Sequence, residues 1–299
     1  MSTNFIIIGG DLRIVKLAEM LASKGNIVYT YGLKNAEELK NKKNNEFENI
    51  HFCETLNNEI LKEVNTVLGP IPFSKDGIHI NSPYSKNEIK LEDVLDSIKN
   101  KTLIAGSVSK DLYDIAKDKN INIVDIMQNE KLAILNCIST AEGAIDVAIN
   151  NTDEIIHGKN CLILGFGRVS KVLAKKLQGL DVKVTCAARK QEAFAWIRAY
   201  GYDLININEL GDNLSKFDII FNTVPNLILD ESKIKYLKQK CLIIELASRP
   251  GGIDRKAAED KGINVVDALA LPGKVAPVTS AKYIEEAIME QKEQSLNVP

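Results

Sequence analysis

A pair of glycines that directly follows an apolar run is the first feature of this 299-residue chain that could do chemistry. The run Leu162–Leu164 is typical of a strand buried on both faces, and Gly165 and Gly167 come next. Glycine permits a tight turn and lets the backbone approach a ligand closely. The amides of Arg168 and Val169, at the start of the helix that follows, would then point at an anion. The spacing predicts a dinucleotide-binding turn, and the alternative is a purely structural strand–turn–helix unit.

The residues at the end of the next predicted strand, 182–187, discriminate between NAD and NADP. It continues into Arg189 and Lys190, with no acid where NAD-binding domains usually place one. A carboxylate there would repel a ribose 2′-phosphate, whereas the two basic side chains would pair with it. We therefore expect NADP, with NAD less favoured. The alternative is that both basic residues lie on a solvated loop.

Three later loops also follow predicted strands, and ligands bind at the carboxyl edge of such sheets. The loop after 218–224 offers ribose or nicotinamide contacts, unless it is only a turn. In the loop after 241–246, an arginine followed by Pro-Gly-Gly could clamp a substrate carboxylate in bidentate fashion, unless it is a surface arginine in a flexible turn. The third loop, after 263–268, contains Pro272 and Lys274, and Lys274 could add charge at the site. The predicted cofactor contacts are Asn222, Thr223, Val224, Pro225, Ser248 and Pro272, and the predicted substrate contacts are Arg249 and Lys274.

Four residues outside these loops are further candidates for the substrate. Asp11 follows the Gly9-Gly10 turn and could instead cap a helix, while Arg13 is poorly placed for the helix dipole and so suggests a specific role. Thr140 could donate to a carboxylate and Glu142 could move protons. Alternatively, Thr140 caps a helix that has Glu142 in its first turn.

Composition narrows the class of protein. A net charge of -2 without any lysine- or arginine-rich block argues against a nucleic-acid partner. Five scattered cysteines indicate free thiols in a reducing cytoplasm. No apolar span approaches the length of a membrane helix and no signal peptide is evident, so no membrane partner is expected. The three histidines are isolated, so no metal is expected.

The elements that must position these residues alternate between strand and helix along the chain. The predicted strands include 27–31, 50–53, 66–71 and 160–164. This alternation predicts an α/β fold with two doubly wound parallel-sheet (Rossmann-like) domains and a cleft between them. The N-terminal domain is expected to span 1–135, and a linking helix with the nucleotide-binding domain 136–279. The linking helix itself is expected over 136–157. A C-terminal helix within 280–299 should pack back on the first domain. The polar stretch 34–49 is expected to be a solvated loop or surface helix.

Several segments together resemble the A subunits of dipicolinate synthases, and the resemblance runs along nearly the whole chain. The chain departs from these proteins at Ile14, Ser139 and Ser170, where they often have glutamine, proline and glycine. The segments that carry the resemblance are Gly9-Gly-Asp-Leu-Arg13, Thr140-Ala-Glu-Gly143, Ile156-His-Gly158, Gly165-Phe-Gly-Arg168, Asn222-Thr-Val-Pro225, Leu246-Ala-Ser-Arg-Pro-Gly-Gly252 and Leu271-Pro-Gly-Lys-Val-Ala-Pro277.

The resemblance implies a cytoplasmic pyridine-nucleotide oxidoreductase that acts during sporulation. Its substrate would be a small cyclic dicarboxylate, 4-hydroxy-tetrahydrodipicolinate, which loses water and a hydride to leave aromatic dipicolinate. A flavoprotein-like B subunit is the implied partner, in a homodimer or hetero-oligomer. In this hypothesis Arg249 and Arg13 grip the two carboxylates from opposite sides, and Glu142 accepts the proton. The alternatives are another two-domain NAD(P)-dependent hydroxy- or amino-acid dehydrogenase, and a non-catalytic subunit that senses NADP.

Overall fold

The computed structural model describes residues 4–40 and 48–296, so 41–47 of the polar stretch and 297–299 of the predicted C-terminal helix lie outside it. The chain divides into two compact units. Unit 1 comprises Met1–Ala133 and Ala276–Pro299, and unit 2 comprises Ile134–Val275. These boundaries fall at 133 and 275, where the sequence predicts 135 and 279.

Unit 1 is built on one parallel sheet of six strands, in the order β3-β2-β1-β4-β5-β6. The strands are β1 (Asn4–Ile8), β2 (Ile27–Tyr31), β3 (Ile50–Cys53), β4 (Thr66–Leu68), β5 (Thr102–Ala105) and β6 (Asn122–Asp125). The central β1 is apolar on both faces because helices cover both. Phe5 and Ile7 join the core on one side of the sheet, and Ile6 and Ile8 join the core on the other.

The helices of unit 1 complete these two cores. They are α1 (Leu12–Ser23), α2 (Glu37–Lys40), α3 (Asn58–Glu63), α4 (Leu91–Ser97), α5 (Lys110–Asp118) and the C-terminal α12 (Pro277–Leu296). Helix α12 packs against α1, where Ala281, Ile284 and Ile288 lie in the same core as Leu17 and Leu21. The C-terminal helix therefore packs in the core of unit 1, although the 142 residues of unit 2 separate the two segments of unit 1 in the sequence.

Unit 2 contains a second parallel sheet of six strands, in the order β12-β11-β10-β7-β8-β9. Its strands are β7 (Asn160–Leu164), β8 (Lys183–Ala188), β9 (Asp203–Asn206), β10 (Ile219–Asn222), β11 (Leu242–Glu245) and β12 (Asn264–Asp267). Its helices are α6 (Glu130–Asn150, which starts in unit 1), α7 (Arg168–Gln178), α8 (Gln191–Ala199), α9 (Glu231–Ile234), α10 (Arg255–Asp260) and α11 (Leu271–Val275). Two parallel sheets flanked by helices confirm the predicted α/β class.

Helix α6 differs from the prediction at both ends. It spans Glu130–Asn150 rather than 136–157. It begins early because the Asn129 side chain accepts a hydrogen bond from the Leu132 amide (3.1 Å) and so caps the helix. By length and composition α6 is also apolar enough to span a membrane, which the expectation of no such span missed. Its apolar face is used inside unit 2, where Ala141, Ala144 and Ala148 are fully buried.

Three of the cysteines lie in or beside the strands of unit 2 and are buried there. Removal from water raises the pKa of the Cys161, Cys186 and Cys241 thiols to about 12. A thiol that resists ionisation is a weak nucleophile and metal ligand, so these side chains act as small apolar core residues.

Candidate nucleotide and substrate site

The glycine turn after β7 has the geometry of an anion cradle. Gly165 has a φ of +94°, which side chains disfavour, and its amide donates to the Ala187 carbonyl (2.8 Å). Gly167 is the N-cap of the eleven-residue α7 and has no side chain with which to cap it. None of the described residues would come within 4 Å of a Cβ built on Gly167. The space at Gly167 lets a ligand approach the start of α7, where the first amides of a helix without a side-chain cap suit a dinucleotide pyrophosphate.

A buried hydroxyl pair ties this turn to the end of β10. Thr223 Oγ1 donates to the Leu164 carbonyl (2.8 Å) and lies 2.9 Å from the hydroxyl of Ser170, which is fully buried. A Cβ on Gly165 would come within 2.6 Å of Thr223 Oγ1, so the turn passes closely beside this hydroxyl. Ser170 stands where the dinucleotide fingerprint usually has glycine or alanine. Here its small polar side chain fixes the position of the neighbouring loop.

A buried carboxylate holds the two loops that follow β10 and β11. Asn222 and Glu245 are partners in register on these strands, and both are almost fully buried. Glu245 Oε1 accepts from Asn222 Nδ2 (2.7 Å) and from the Ala247 amide (3.1 Å), while Oε2 accepts from the Gly252 amide (2.9 Å). Prediction from sequence missed Glu245. The signal was present, because an acid that ends an otherwise apolar strand at the carboxyl edge needs partners there.

This carboxylate shapes the loop that carries Arg249. A Cβ on Gly252 would come within 2.4 Å of Asn222 Nδ2, so the backbone packs directly on the network. The Gly252 carbonyl also accepts from the amides of Ile228 and Leu229, at 2.9 Å each. Arg249 itself is exposed, and it makes no ion pair within the described part of the chain. Its guanidinium is thus a free cation on a loop whose base is fixed.

Arg189 and Lys190 lie where the prediction requires them. Strand β8 ends at Ala188, the two basic residues are exposed, and α8 begins directly afterwards. Across 4–40 and 48–296, neither forms an ion pair with a carboxylate. Two unpaired cations beside the glycine turn suit the 2′-phosphate of NADP.

A close helix contact brings together two of the sequence segments singled out above. A Cβ on Gly143 of α6 would meet Leu271 Cβ at 3.0 Å and Val275 Cγ2 at 3.1 Å, so α6 and α11 approach closely at this glycine. The segment that contains Thr140 and Glu142 therefore lies beside the segment that contains the buried Pro272 and the exposed Lys274. This close packing of the two helices requires a residue without a side chain at position 143.

The two polar side chains that the sequence predicts as substrate contacts on α6 both have partners within the protein. Thr140 lies in the middle of the helix, so the alternative of a cap is wrong, and its hydroxyl donates to the Asn136 carbonyl (2.9 Å). Glu142 is 55% exposed and forms an ion pair with Lys176 of α7 (2.7 Å). To accept a proton from a substrate, the Glu142 carboxylate would first have to separate from this ammonium group.

Asp11 and Arg13 form a local pair in unit 1. Asp11 caps α1 by accepting from the Arg13 amide (3.1 Å), and its carboxylate also binds Arg13 Nε and Nη2. Nη2 donates further to the Ile71 carbonyl (2.5 Å), and the Arg13 side chain is only 5% exposed. Asp11 thus does cap the helix, and Arg13 joins the loops after β1 and β4. Of the three nitrogens of the Arg13 side chain, only Nη1 makes no hydrogen bond to the residues that the structure describes.

Two family models match the chain, one in each unit. Residues 4–127 match the N-terminal domain of the dipicolinate synthase A subunit. Residues 146–271 match shikimate/quinate 5-dehydrogenase. The second match assigns to unit 2 the fold of a dehydrogenase domain, for which a nicotinamide cofactor is the expected ligand.

Three matches that cover nearly the whole chain are dipicolinate synthase A subunits. The dipicolinate synthase A subunit of Bacillus subtilis is 29% identical over 284 residues, which are 94% of this chain and 93% of that protein. The crystal structure of the Bacillus subtilis protein has a TM-score of 0.84 at 27% identity, and that of its Bacillus halodurans counterpart has 0.85 at 28%. Each alignment covers 99% of this chain and 98% of the other. The resemblance predicted from the sequence segments is confirmed.

Proposed function

We propose that this chain, a relative of the dipicolinate synthase A subunit over nearly its whole length, oxidises a cyclic hydroxylated tetrahydrodipicolinate to dipicolinate during sporulation. Water leaves the ring, one ring carbon loses a hydride and a base takes the matching proton. Bound NADP supplies the acceptor for that hydride. The observation that carries the proposal is the unpaired Arg249, held at the carboxyl edge of the dehydrogenase-type sheet by the Glu245 network.

On the cofactor side, each part of NADP has a group of this chain to hold it. The amides that follow Gly167 bind the pyrophosphate, assisted by Arg168 and Val169 at the start of α7. Arg189 and Lys190 bind the 2′-phosphate. The loop 222–225, which Glu245 and Ser170 keep in place, contacts the ribose and the nicotinamide, together with Ser248 and Pro272.

Arg189→Ala is expected to weaken NADP binding and to leave NAD binding unchanged. A charge-assisted hydrogen bond contributes about 1.5–3 kcal/mol, so the Kd for NADP should rise by about tenfold or more. Isothermal titration calorimetry with both dinucleotides measures this difference. Lys183→Ala is the matched control, because Lys183 is an exposed cation at the opposite end of the same strand. Tighter binding of NAD than of NADP by the unaltered chain would contradict the proposal.

On the substrate side, Arg249 binds one ring carboxylate. Its planar guanidinium matches two carboxylate oxygens, and the following glycines leave room for the ring. Lys274 adds a second positive charge on α11, next to the α6 segment that holds Thr140 and Glu142. Glu142 remains the proposed proton acceptor, after release from Lys176. That Arg13 binds the second carboxylate remains a prediction of the sequence.

Arg249→Ala is expected to raise the substrate KM by about 10- to 100-fold, because a bidentate ion pair of about 1.5–3 kcal/mol is lost. NADP affinity should stay unchanged, because Arg249 is not assigned to the cofactor. Steady-state kinetics and dinucleotide calorimetry on the same preparations test both statements. Arg249→Lys keeps the charge but not the fork, and should recover only part of the loss. A KM equal to that of the unaltered chain would remove Arg249 from the site.

The proposal includes a partner protein. The relatives are named as A subunits, which implies a complex, and we propose that this chain works in the cytoplasm with a flavoprotein-like B subunit. Co-expression of the two chains followed by gel filtration tests this. One co-eluting species supports the partner, and two separate peaks at concentrations well above those in the assay would contradict it.

A further inference from the structure

A cavity lined by lysines and tyrosines lies in unit 2, and none of its lining residues is assigned to the substrate or the cofactor. It has a volume of about 420 Å³, which is within the range of small-molecule sites. We call it the basic–aromatic pocket. Its lining residues are Ile138, Lys171, Val172, Lys175, Lys176, Tyr200 and Tyr202.

The aromatic side of the pocket belongs to a larger group of rings. Trp196 stacks on Tyr200 with ring centroids 5.6 Å apart, and Phe166 lies 6.3 Å from Tyr200 and 6.5 Å from Tyr202. Trp196 and Tyr200 are nonetheless 44% and 47% exposed. Packing between α7 and α8 does not require so much aromatic surface to face solvent, whereas a flat ligand would cover it.

The opposite side of the pocket is positively charged. Lys171 Nζ lies 5.3 Å from the Trp196 ring centroid and 5.9 Å from that of Phe166, which places an ammonium group among the rings. In the part of the chain that the structure describes, neither Lys171 nor Lys175 has a carboxylate partner, and only Lys176 is paired, with Glu142. The pocket therefore offers two unneutralised cations next to flat apolar faces.

The lining residues of this pocket include none of the residues predicted to bind the dinucleotide, although Lys171 lies only four residues after Gly167. From Lys171 the pocket extends along α7 away from the phosphate cradle. Lys175 and Lys176 are in the last turn of α7, while the phosphate cradle is at its first turn. Eleven residues of helix span roughly 16 Å. Cations in a last helical turn also favour the helix dipole, but the dipole explains neither Lys171 nor the exposed rings.

We propose that the basic–aromatic pocket binds a small planar aromatic anion. The ring lies against Tyr200 and Tyr202, and the negative group reaches Lys171 and Lys175. Two sources share this chemistry. One is an aromatic carboxylate, of which the product of the proposed function is the example at hand, so that this identification rests on the proposed function. The other is a nucleoside monophosphate, whose base and phosphate meet the same requirements.

Trp196 makes the proposal directly measurable, because it is the only tryptophan of the chain. Full-length protein saturated with NADP is titrated with pyridine-2,6-dicarboxylate and, separately, with adenosine monophosphate, while tryptophan fluorescence and heat are recorded. We expect a saturable change with at least one of them, and the ligand that binds identifies the source. Absence of binding by both ligands would overturn the proposal.

Variants locate the binding. Lys171→Ala and Lys175→Ala should each raise the Kd by about tenfold, equivalent to about 1.4 kcal/mol. Lys62→Ala, which removes an exposed cation from unit 1, should leave the Kd unchanged. Trp196→Phe should abolish the optical signal while calorimetric binding persists. Equal affinities in the lysine variants and the unaltered chain would place the ligand elsewhere and overturn the proposal.

Turnover measured on the same preparations separates this inference from the proposed function. An active enzyme that binds neither anion refutes only the basic–aromatic pocket. A protein that is inactive even with the B subunit present, but binds an anion in a manner dependent on Lys171, refutes the proposed function and supports the pocket with the nucleotide or another aromatic anion as its ligand.

Discussion

Gly165→Ala is expected to weaken NADP binding by at least about tenfold and to lower the free energy of unfolding by about 2–5 kcal/mol. Part of the cost comes from a side chain at a φ of +94°. The remainder comes from overlap, because the new Cβ would lie 2.6 Å from Thr223 Oγ1 and 2.9 Å from Val224 Cγ2. Relief of this overlap moves the loop after β10 away from the turn. Denaturant unfolding and dinucleotide calorimetry measure the two effects.

Gly262→Ala is the control that isolates the backbone term. Gly262 lies between α10 and β12 with a φ of +70°, and a Cβ there would meet none of the described residues within 4 Å. We expect this variant to lose about 1–2 kcal/mol and to bind NADP normally. If Gly165→Ala has the same stability and NADP affinity as this control, the close approach of Thr223 to the turn contributes neither to stability nor to NADP binding.

Glu245→Ala is expected to be the most damaging substitution at the substrate loop. It removes the acceptor for the Ala247 and Gly252 amides and for Asn222 Nδ2, and each buried donor left without a partner costs about 1–3 kcal/mol. We expect a loss of about 3–5 kcal/mol in the free energy of unfolding, together with a fall in kcat/KM, because the loop that carries Arg249 loses its anchor. Thermal unfolding and steady-state kinetics report on each.

Two further variants show whether Glu245 acts through position. Glu259→Ala removes an exposed acid of α10 in the same unit and should change neither stability nor kcat/KM. Asn222→Ala combined with Glu245→Ala should cost less than the sum of the single changes, with a coupling of about 0.5–3 kcal/mol. Strict additivity, or an unchanged KM in Glu245→Gln, would mean that this carboxylate does not position the loop.

The sequence was informative where apolar runs meet glycine. The strands Ile27–Tyr31, Ile50–Cys53 and Asn160–Leu164 have the bounds that their patterns predict, because glycine or a polar residue follows or precedes each run. Predictions were too long where loops at the carboxyl edge are themselves apolar. The strand expected over 66–71 ends at Leu68, and Ile71 is buried without belonging to the sheet. Burial alone therefore does not define a strand end.

The site was less accessible to sequence reasoning because its contacts are long-range. Asn222 and Glu245 are 23 residues apart and meet only through strand register. The sequence offered the cap at Asp11 but could not show the bond from Arg13 to the Ile71 carbonyl, which lies 58 residues away. Glu142 likewise reaches Lys176 across 34 residues. Residue type located the loops, whereas the partners of each side chain required the fold.

An assay of hydride transfer to the nicotinamide cofactor tests the central claim most directly. Purified chain is mixed with NADP and the hydroxylated tetrahydrodipicolinate, with and without the B subunit, while absorbance of the reduced nicotinamide is followed. We predict an increase that depends on the substrate, falls in Arg249→Ala and is larger with NADP than with NAD. No increase with either dinucleotide, even when the B subunit is present, would contradict the proposed oxidoreductase.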